Sequence, residues 1–188
     1  LILHYHPLTI YRHQVLKQPD LLLAFLLLSN LFSKEEKQRN FAYYDPITTG
    51  DSSLSSCIQS IIASEIGKIQ EGERYFLKTA RMDLDDINKN VKDGIHAASM
   101  GGTWLTLIYG FGGLRDDGDV LSFYPALPAS IQSLAFSLRI RDKTIAVTIT
   151  PEKASYTLSG GGNLRIRHRG KDVDLLDGKT ETLHIYAH

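Results

Sequence analysis

The stretch "RDDGD", residues 115 to 119, separates two parts of the sequence that differ in hydrophobic period. Before it, apolar residues recur at helical spacing; after it, they alternate with polar residues as in strands. This change predicts a mainly α chain with a β tail. We place the boundary after residue 117, with helices over residues 1–117 and a small antiparallel β-domain over residues 118–188.

Specific signals mark several helices in the first part. "SKEEKQRNFAYY" begins with Ser33 and carries Glu36 three residues later, the pattern of a capping box. In "DSSLSSCIQSIIASEIG", Asp51 or Ser52 is a candidate cap and Gly67 a candidate terminator. "PDLLLAFLLLSNLF" is apolar on every side, as in a buried helix. Faces this apolar are unsuited to exposure, so we expect further helices to cover them.

The second part carries strand signals. "SLAFSLRIR" and "TIAVTIT" alternate apolar with small or polar residues, and the short "RDK" between them predicts a hairpin. "SYTLSGGGNLRIRHRG" predicts two more strands about the glycine turn at residues 160–162, and "ETLHIYAH" predicts a last one. Together these segments indicate a β module of about 70 residues.

Composition excludes several classes of function. Lysine plus arginine and aspartate plus glutamate each number 21, so no net charge favours nucleic acid or an acidic membrane. The longest apolar run, residues 21–28, is far shorter than the roughly 20 residues that a membrane helix needs. The single Cys57 allows no internal disulfide, which fits a cytoplasmic location. Because the chain starts with Leu1 and shows no leader pattern, we expect it to begin within a longer protein.

Metal and cofactor signals are weak. His4 and His6 share one side of an extended segment, but no further ligand follows at metal-site spacing, so no metal site is predicted. "YGFGG" lacks the G-x-G-x-x-G order of a dinucleotide site, and no P-loop is present. We therefore expect no cofactor.

Two segments are candidates for binding. In "KDGIHAASMGGTW", residues 92–104, Gly101 and Gly102 each cost a helix roughly 1 kcal/mol relative to alanine. Such glycines allow either another helix or an anion to approach the backbone. His96 and Ser99 are the side chains that would assist an anion. In "KQPD", Lys17 and Gln18 either begin a solvated helix or point into a cavity, where sugar hydroxyls would pair with them.

The motifs "YYDPITTGDSSLSSCIQSIIASEIG", "YFLKTARMDLDD" and "KDGIHAASMGGTW" together resemble the C-terminal third of the maltose, trehalose and kojibiose phosphorylases of glycoside hydrolase family 65. The resemblance covers roughly residues 1–150 and fades in the last 35 or so. It implies the last helices of an (α/α)₆ barrel followed by a small antiparallel β-domain. It also implies phosphorolysis of an α-glucosyl disaccharide with inversion, giving β-glucose 1-phosphate and a free sugar.

The resemblance further implies roles for particular residues. Lys17 and Gln18 would contact the transferred glucosyl unit. His96 and Ser99, with the amides of Gly101 and Gly102, would hold inorganic phosphate, the co-substrate. The general-acid glutamate is expected upstream, so this chain carries no catalytic residue and is expected to be inactive alone. The remainder of the polypeptide would be its partner, in an enzyme expected to form a homodimer.

Two alternatives stay open at this stage. The first is a hydrolase of the same family, of the acid trehalase type, which needs a carboxylate to activate water. "GIHAASMGG" has no acid close to His96 in sequence, and this favours phosphorolysis. The second is a carbohydrate-binding module with the β tail as its binding face. Tyr156 and Tyr186 give that tail few aromatic residues for stacking on sugars.

Overall fold

The computed structural model describes residues 5–50 and 52–185. Its contacts divide the chain into two compact units, Leu1–Thr106 and Leu107–His188. The sequence-based boundary after residue 117 falls later than this division, because the main chain ahead of it already pairs with the strands. The N–H of Tyr124 donates to the carbonyl of Gly113, and the N–H of Ala126 donates to that of Phe111, both at 2.9 Å.

Six α-helices lie in the described residues of the first unit. They are α1 (Pro7–Ile10), α2 (Asp20–Leu27), α3 (Lys34–Tyr44), α4 (Ser55–Glu65), α5 (Ile69–Ala80) and α6 (Ala97–Leu105). Short 3₁₀ turns cover Ser29–Leu31 and Val91–Asp93, and a π-helical turn, Thr106–Phe111, continues directly from α6.

Helix α4 is the centre of the first unit, and every residue from Ser55 to Ser64 is buried. Its end is the predicted one. Gly67 has a φ of 93°, its N–H donates to the Ser64 carbonyl, and the N–H of Lys68 donates to the Ala63 carbonyl at 2.8 Å. This pair of bonds is a Schellman motif, which a left-handed glycine makes accessible.

The start of α4 differs from the sequence-based expectation. The residue before the helix is Leu54, and no side chain caps the helix there. Ser52 lies one turn earlier, where its Oγ accepts a bond of 3.3 Å from the N–H of Leu54. The other predicted cap, Asp51, lies outside the described residues.

The predicted capping box of α3 is confirmed. The N–H of Glu36 donates to Ser33 Oγ at 3.2 Å, and the N–H of Ser33 donates to Glu36 Oε2 at 2.8 Å. One turn on, the buried Lys37 donates from Nζ to Glu65 Oε1 at 2.5 Å, which ties α3 to α4.

Helix α2, which we expect further helices to surround, is covered on one face by the helices of this chain. The helix buries Leu22, Phe25 and Leu26, the face that packs toward α3 and α4. The opposite face leaves four large side chains exposed by 37% to 67%: Leu23, Leu27, Leu28 and, in the following turn, Leu31. We call these four residues the leucine face.

Eight strands form two four-stranded sheets in the described residues of the second unit. The strands are β1 (Leu114–Arg115), β2 (Ser122–Phe123), β3 (Leu134–Ile140), β4 (Lys143–Ile149), β5 (Lys153–Ser159), β6 (Asn163–His168), β7 (Lys171–Leu176) and β8 (Thr180–His184). One sheet has the order β1-β2-β6-β7 and the other β3-β4-β5-β8.

The predicted β3–β4 hairpin is confirmed, with Ile140 opposite Lys143 and Arg141 in the turn at a φ of 56°. The strands on either side of the glycine turn also form, but they belong to different sheets. Two features depart from a simple antiparallel module. Strands β1, β2 and β7 lie outside the predicted strands, and β2 pairs with β6 in parallel.

Tyr156 of β5 links the two sheets and is fully buried. Its hydroxyl lies 2.8 Å from Nδ1 of His168 on β6, and its ring centroid lies 5.1 Å from that of Phe123. Nε2 of His168 lies 3.1 Å from the carbonyl oxygen of His184. Burial lowers the pKa of His168, so we assign a neutral ring that accepts from Tyr156 and donates to His184.

Candidate functional site

The two predicted binding segments lie on either side of one short loop, residues 52–53. On one side, Nε2 of Gln18 donates to Ser52 Oγ at 3.0 Å. On the other, the hydroxyl of Ser99 donates to the carbonyl oxygen of Ser53 at 3.2 Å. Residues 81 positions apart in sequence are thereby brought to adjacent positions in the first unit.

Main-chain bonds hold the Lys17–Gln18 segment in place. The N–H of Leu16 donates to the carbonyl of Ile47 at 2.9 Å, and the N–H of Thr49 donates to that of Leu16 at 2.8 Å. Next to these main-chain bonds of Leu16, the side chain of Lys17 is exposed, as expected of a solvated helix start. Gln18 is half-buried, so the two neighbouring residues face different surroundings.

A cavity of about 230 Å³ lies beside Gln18, between helices α2, α4 and α6. Its polar lining comes from Gln18 and Asp20, with a thiol from Cys57. The other walls are apolar: Pro19, Leu23, Leu54, Ile58, Ala98 and Leu105. Of the two predicted sugar ligands, Gln18 lines this cavity.

His96 precedes α6 and is held by an acid that the local sequence does not reveal. Nδ1 of His96 lies 2.5 Å from Oδ1 of Asp83, and the main-chain N–H of His96 donates to Oδ2 at 2.8 Å. These bonds from the His96 side chain and backbone lower the pKa of Asp83. The stretch around His96 has no acid close in sequence, but an acid is close in space, because the loop after α5 folds back and carries Asp83 to the ring.

Asn90 lies on the opposite edge of the same imidazole. Its Nδ2 is 3.3 Å from Nε2 of His96, while its Oδ1 is buried and has no hydrogen-bond partner. The His96 side chain itself is 19% exposed. With a proton on Nδ1, the ring donates to Asp83 and accepts from Asn90, so both nitrogens are engaged.

Ser99 and Gly102 face α4. Ser99 is only 2% exposed. A Cβ placed on Gly102 would stand 2.8 Å from Cβ and 2.9 Å from Sγ of Cys57. Of the two readings that the sequence left open for these glycines, close helix approach therefore applies to Gly102.

Gly101 faces away from α4 and is exposed, with nothing within 4 Å of an added Cβ. Helix α6 begins at Ala97, and the N–H groups of Ser99 and Met100 in its first turn donate to the carbonyl of His96 at 2.9 and 3.3 Å. The amides of Gly101 and Gly102 lie past that first turn, within the helix. A direct role for them in phosphate binding stays a prediction.

Over residues 5–50 and 52–185, no three histidine, cysteine, aspartate or glutamate side chains form a group able to hold a metal ion. His4 lies outside those ranges. Within the same ranges, no helix has the length and hydropathy required to cross a bilayer.

Comparison with known families gives two matches that together cover most of the chain. Residues 1–105 match the glycosyl hydrolase family 65 central catalytic domain. Residues 114–175 match the glycosyl hydrolase family 65 C-terminal domain. The interval between the two matches contains the division between the compact units.

Individual relatives agree with these matches. An alpha,alpha-trehalose phosphorylase of Thermoanaerobacter brockii is 48% identical over 95% of this chain and 23% of its own length. A maltose phosphorylase of Bacillus subtilis is 35% identical over 92% of this chain and 23% of its own length. A solved structure named "Putative kojibiose phosphorylase from human microbiome" has a TM-score of 0.91 and 33% identity, over 98% of this chain and 27% of that one. The chain spans about a quarter of each relative.

Proposed function

Since the chain belongs to glycosyl hydrolase family 65, we propose that a protein carrying it is an inverting phosphorylase of a maltose-, trehalose- or kojibiose-type disaccharide. Inorganic phosphate attacks the anomeric carbon as the glycosidic C–O bond breaks on the opposite face, giving β-glucose 1-phosphate. A general acid outside this chain protonates the leaving oxygen and frees the second sugar. The chain supplies binding residues and no catalytic acid.

The observation that carries the proposal is the loop at residues 52–53. A phosphorylase must hold phosphate and the glucosyl unit side by side, because the phosphate oxygen attacks the sugar carbon directly. Gln18 and Ser99 bond to adjacent residues of this loop. The segments assigned to sugar and to phosphate are therefore neighbours, as one reaction centre requires.

Each predicted ligand has a place in this proposal. His96 presents its ring at the start of α6, where helix geometry favours an anion. Gly101 leaves the outer surface of α6 without a side chain, and Gly102 lets the helix approach α4. Ser99 joins α6 to the loop. Lys17, exposed beside Gln18, would bond to the glucosyl hydroxyls.

A hydrolase of the same family is the competing assignment, and Asp83 bears on it. A hydrolytic base needs a carboxylate oxygen directed at water. Both oxygens of Asp83 accept hydrogen bonds from His96, so they are directed at the histidine and not at a water molecule. The binding-module alternative is weakened as well, since Tyr156 is fully buried and offers no ring for stacking on a sugar. The other candidate, Tyr186, lies outside the described residues.

The deciding experiment measures turnover of maltose, trehalose and kojibiose by the full-length protein, with and without inorganic phosphate. We expect turnover to require phosphate and to release β-glucose 1-phosphate. In the same assay, His96→Ala should raise the KM for phosphate about tenfold or more, since a hydrogen bond to a charged group contributes about 1.5–3 kcal/mol. The exposed His13 provides the control, and His13→Ala should change nothing. Turnover that persists without phosphate would identify a hydrolase.

Three further expectations belong to the same proposal. Helices α1–α6 would complete an (α/α)₆ barrel, whose other helices would cover the leucine face. The enzyme would be cytoplasmic, which the free, buried thiol of Cys57 supports. It would also be a homodimer, which light scattering on the full-length protein would test.

A further inference from the structure

The contact between Asp83 and His96 consists of two hydrogen bonds. One carboxylate oxygen meets the imidazole Nδ1 at 2.5 Å and the other accepts the main-chain N–H of the same residue at 2.8 Å. A side chain gripped at both its ring and its backbone has little freedom to rotate. Because His96 is also the residue that precedes α6, these two hydrogen bonds fix the ring relative to the first turn of that helix.

The bond to Oδ1 of Asp83 also determines which ring nitrogen of His96 can bind another ligand. A carboxylate accepts hydrogen bonds only, so Nδ1 must carry a proton. Nε2 is then the nitrogen that can meet another ligand. Its present neighbour, the amide of Asn90, is 3.3 Å away, beyond the usual range for a strong hydrogen bond. The Asn90 contact is thus the weaker of the two, and a P–OH group of hydrogen phosphate would take the place of Asn90 by donating to Nε2.

We propose that Asp83 is a positioning residue for phosphate, which holds the His96 ring at its Nδ1 edge and backbone so that Nε2 faces the anion at the start of α6. This inference rests on the proposed function. It adds to it a residue that does not itself touch substrate and acts through His96.

A matched control lies two residues away. Asp85 is on the same turn, is exposed, and pairs with Arg81 through both of its oxygens at 2.6 Å. The two aspartates thus share their chemistry and location in the chain, and they differ in their partner. Asp83→Asn and Asp85→Asn remove the same charge from the same segment.

The experiment compares steady-state kinetics of the full-length protein carrying Asp83→Asn, Asp85→Asn, His96→Ala and the double variant Asp83→Asn with His96→Ala. Asp83→Asn should raise the phosphate KM about tenfold, by analogy with the hydrogen-bond partners of metal-ligating histidines, whose loss costs about 10- to 100-fold. The disaccharide KM should be nearly unchanged. Asp85→Asn should stay within about twofold, because exposed ion pairs contribute little. In the His96→Ala background, Asp83→Asn should add almost nothing.

Asp83→Glu keeps the carboxylate and should give a phosphate KM between those of the wild type and Asp83→Asn. This variant also covers the case in which Asp83→Asn folds poorly. The inference is overturned if His96→Ala raises the phosphate KM while Asp83→Asn leaves it unchanged. It is equally overturned if Asp83→Asn is as harmful without His96 as with it, since the role would then be structural. Failure of the proposed function looks different: the wild type would turn over without phosphate, and both proposals would fall.

Discussion

Gly102 of α6 lies against Cys57 of α4 so closely that a Cβ at position 102 would be 2.8 Å from the Cβ of Cys57. The sequence alone left two explanations for a glycine here, an approaching helix or a bound anion. The contact assigns the helix explanation to Gly102, while the adjacent Gly101 has open space on the opposite side of the same helix.

Replacing Gly102 with alanine should destabilise the first unit. The added methyl group would overlap both Cβ and Sγ of Cys57, and overpacking of this kind costs about 1–3 kcal/mol. Denaturant unfolding would measure the change in the free energy of unfolding. A variant as stable as the wild type would show that α6 can move away from α4 at no cost.

Gly101→Ala is the matched comparison. Its methyl group meets nothing within 4 Å, and alanine favours a helix interior by up to about 1 kcal/mol over glycine. We therefore expect equal or greater stability in the same unfolding experiment. If phosphate lies on this uncovered surface, as proposed, the phosphate KM should nevertheless rise. A loss of stability equal to that of Gly102→Ala would contradict the assigned environments.

Lys17→Ala should weaken use of the disaccharide and leave phosphate binding largely intact. Removing a charged donor to a sugar hydroxyl costs about 1.5–3 kcal/mol, a tenfold or larger fall in kcat/KM for the disaccharide. Lys34→Ala, at another exposed lysine next to the start of a helix, is the control. A normal kcat/KM for the disaccharide in Lys17→Ala would remove this residue from the sugar site.

Ser33→Ala should lower the free energy of unfolding by about 1 kcal/mol, because it removes the side-chain half of the capping box on α3. Glu36→Gln should cost less, since glutamine can make the reciprocal bond to the N–H of Ser33. Thermal unfolding of the two variants would compare them. Equal losses would show that the charge of Glu36 matters more than its hydrogen bond.

Stability of the second unit should fall as the pH drops from about 7 toward 5.5. Burial lowers the native pKa of His168, while an unfolded histidine titrates near 6.5, so the unfolded chain binds more protons in this window. The loss levels off once the pH is below the native pKa. His168→Gln should be less stable at pH 7 and should show a flatter dependence of Tm on pH. An identical slope in both proteins would assign the effect to another group.

Local signals explain why much of the fold was predictable. A capping box, a terminal glycine and strict alternation each act within a few residues, so the bounds of α3, the end of α4 and the β3–β4 hairpin follow from adjacent sequence. The parallel pairing of β2 with β6 does not, because Phe123 and His168 meet through contacts far apart in the chain.

The same distinction applies to the candidate site. His96 and Ser99 stand out because they precede two adjacent glycines, and both lie where the segment meets its neighbours. Asp83 carries no such mark, since "RMDLDD" contains three aspartates and nothing in their spacing shows which one reaches His96. Only the fold of the loop between α5 and α6 shows that Asp83 is the aspartate that contacts His96.

The leucine face has a practical consequence for anyone preparing this chain as an isolated sample. With 21 positive and 21 negative side chains, the molecule has almost no net charge near neutral pH to oppose self-association. The four exposed leucines of the leucine face then provide an apolar surface through which molecules can associate. Soluble material should be obtained more readily at a pH well away from 7, or after two of these leucines are exchanged for lysine or glutamate.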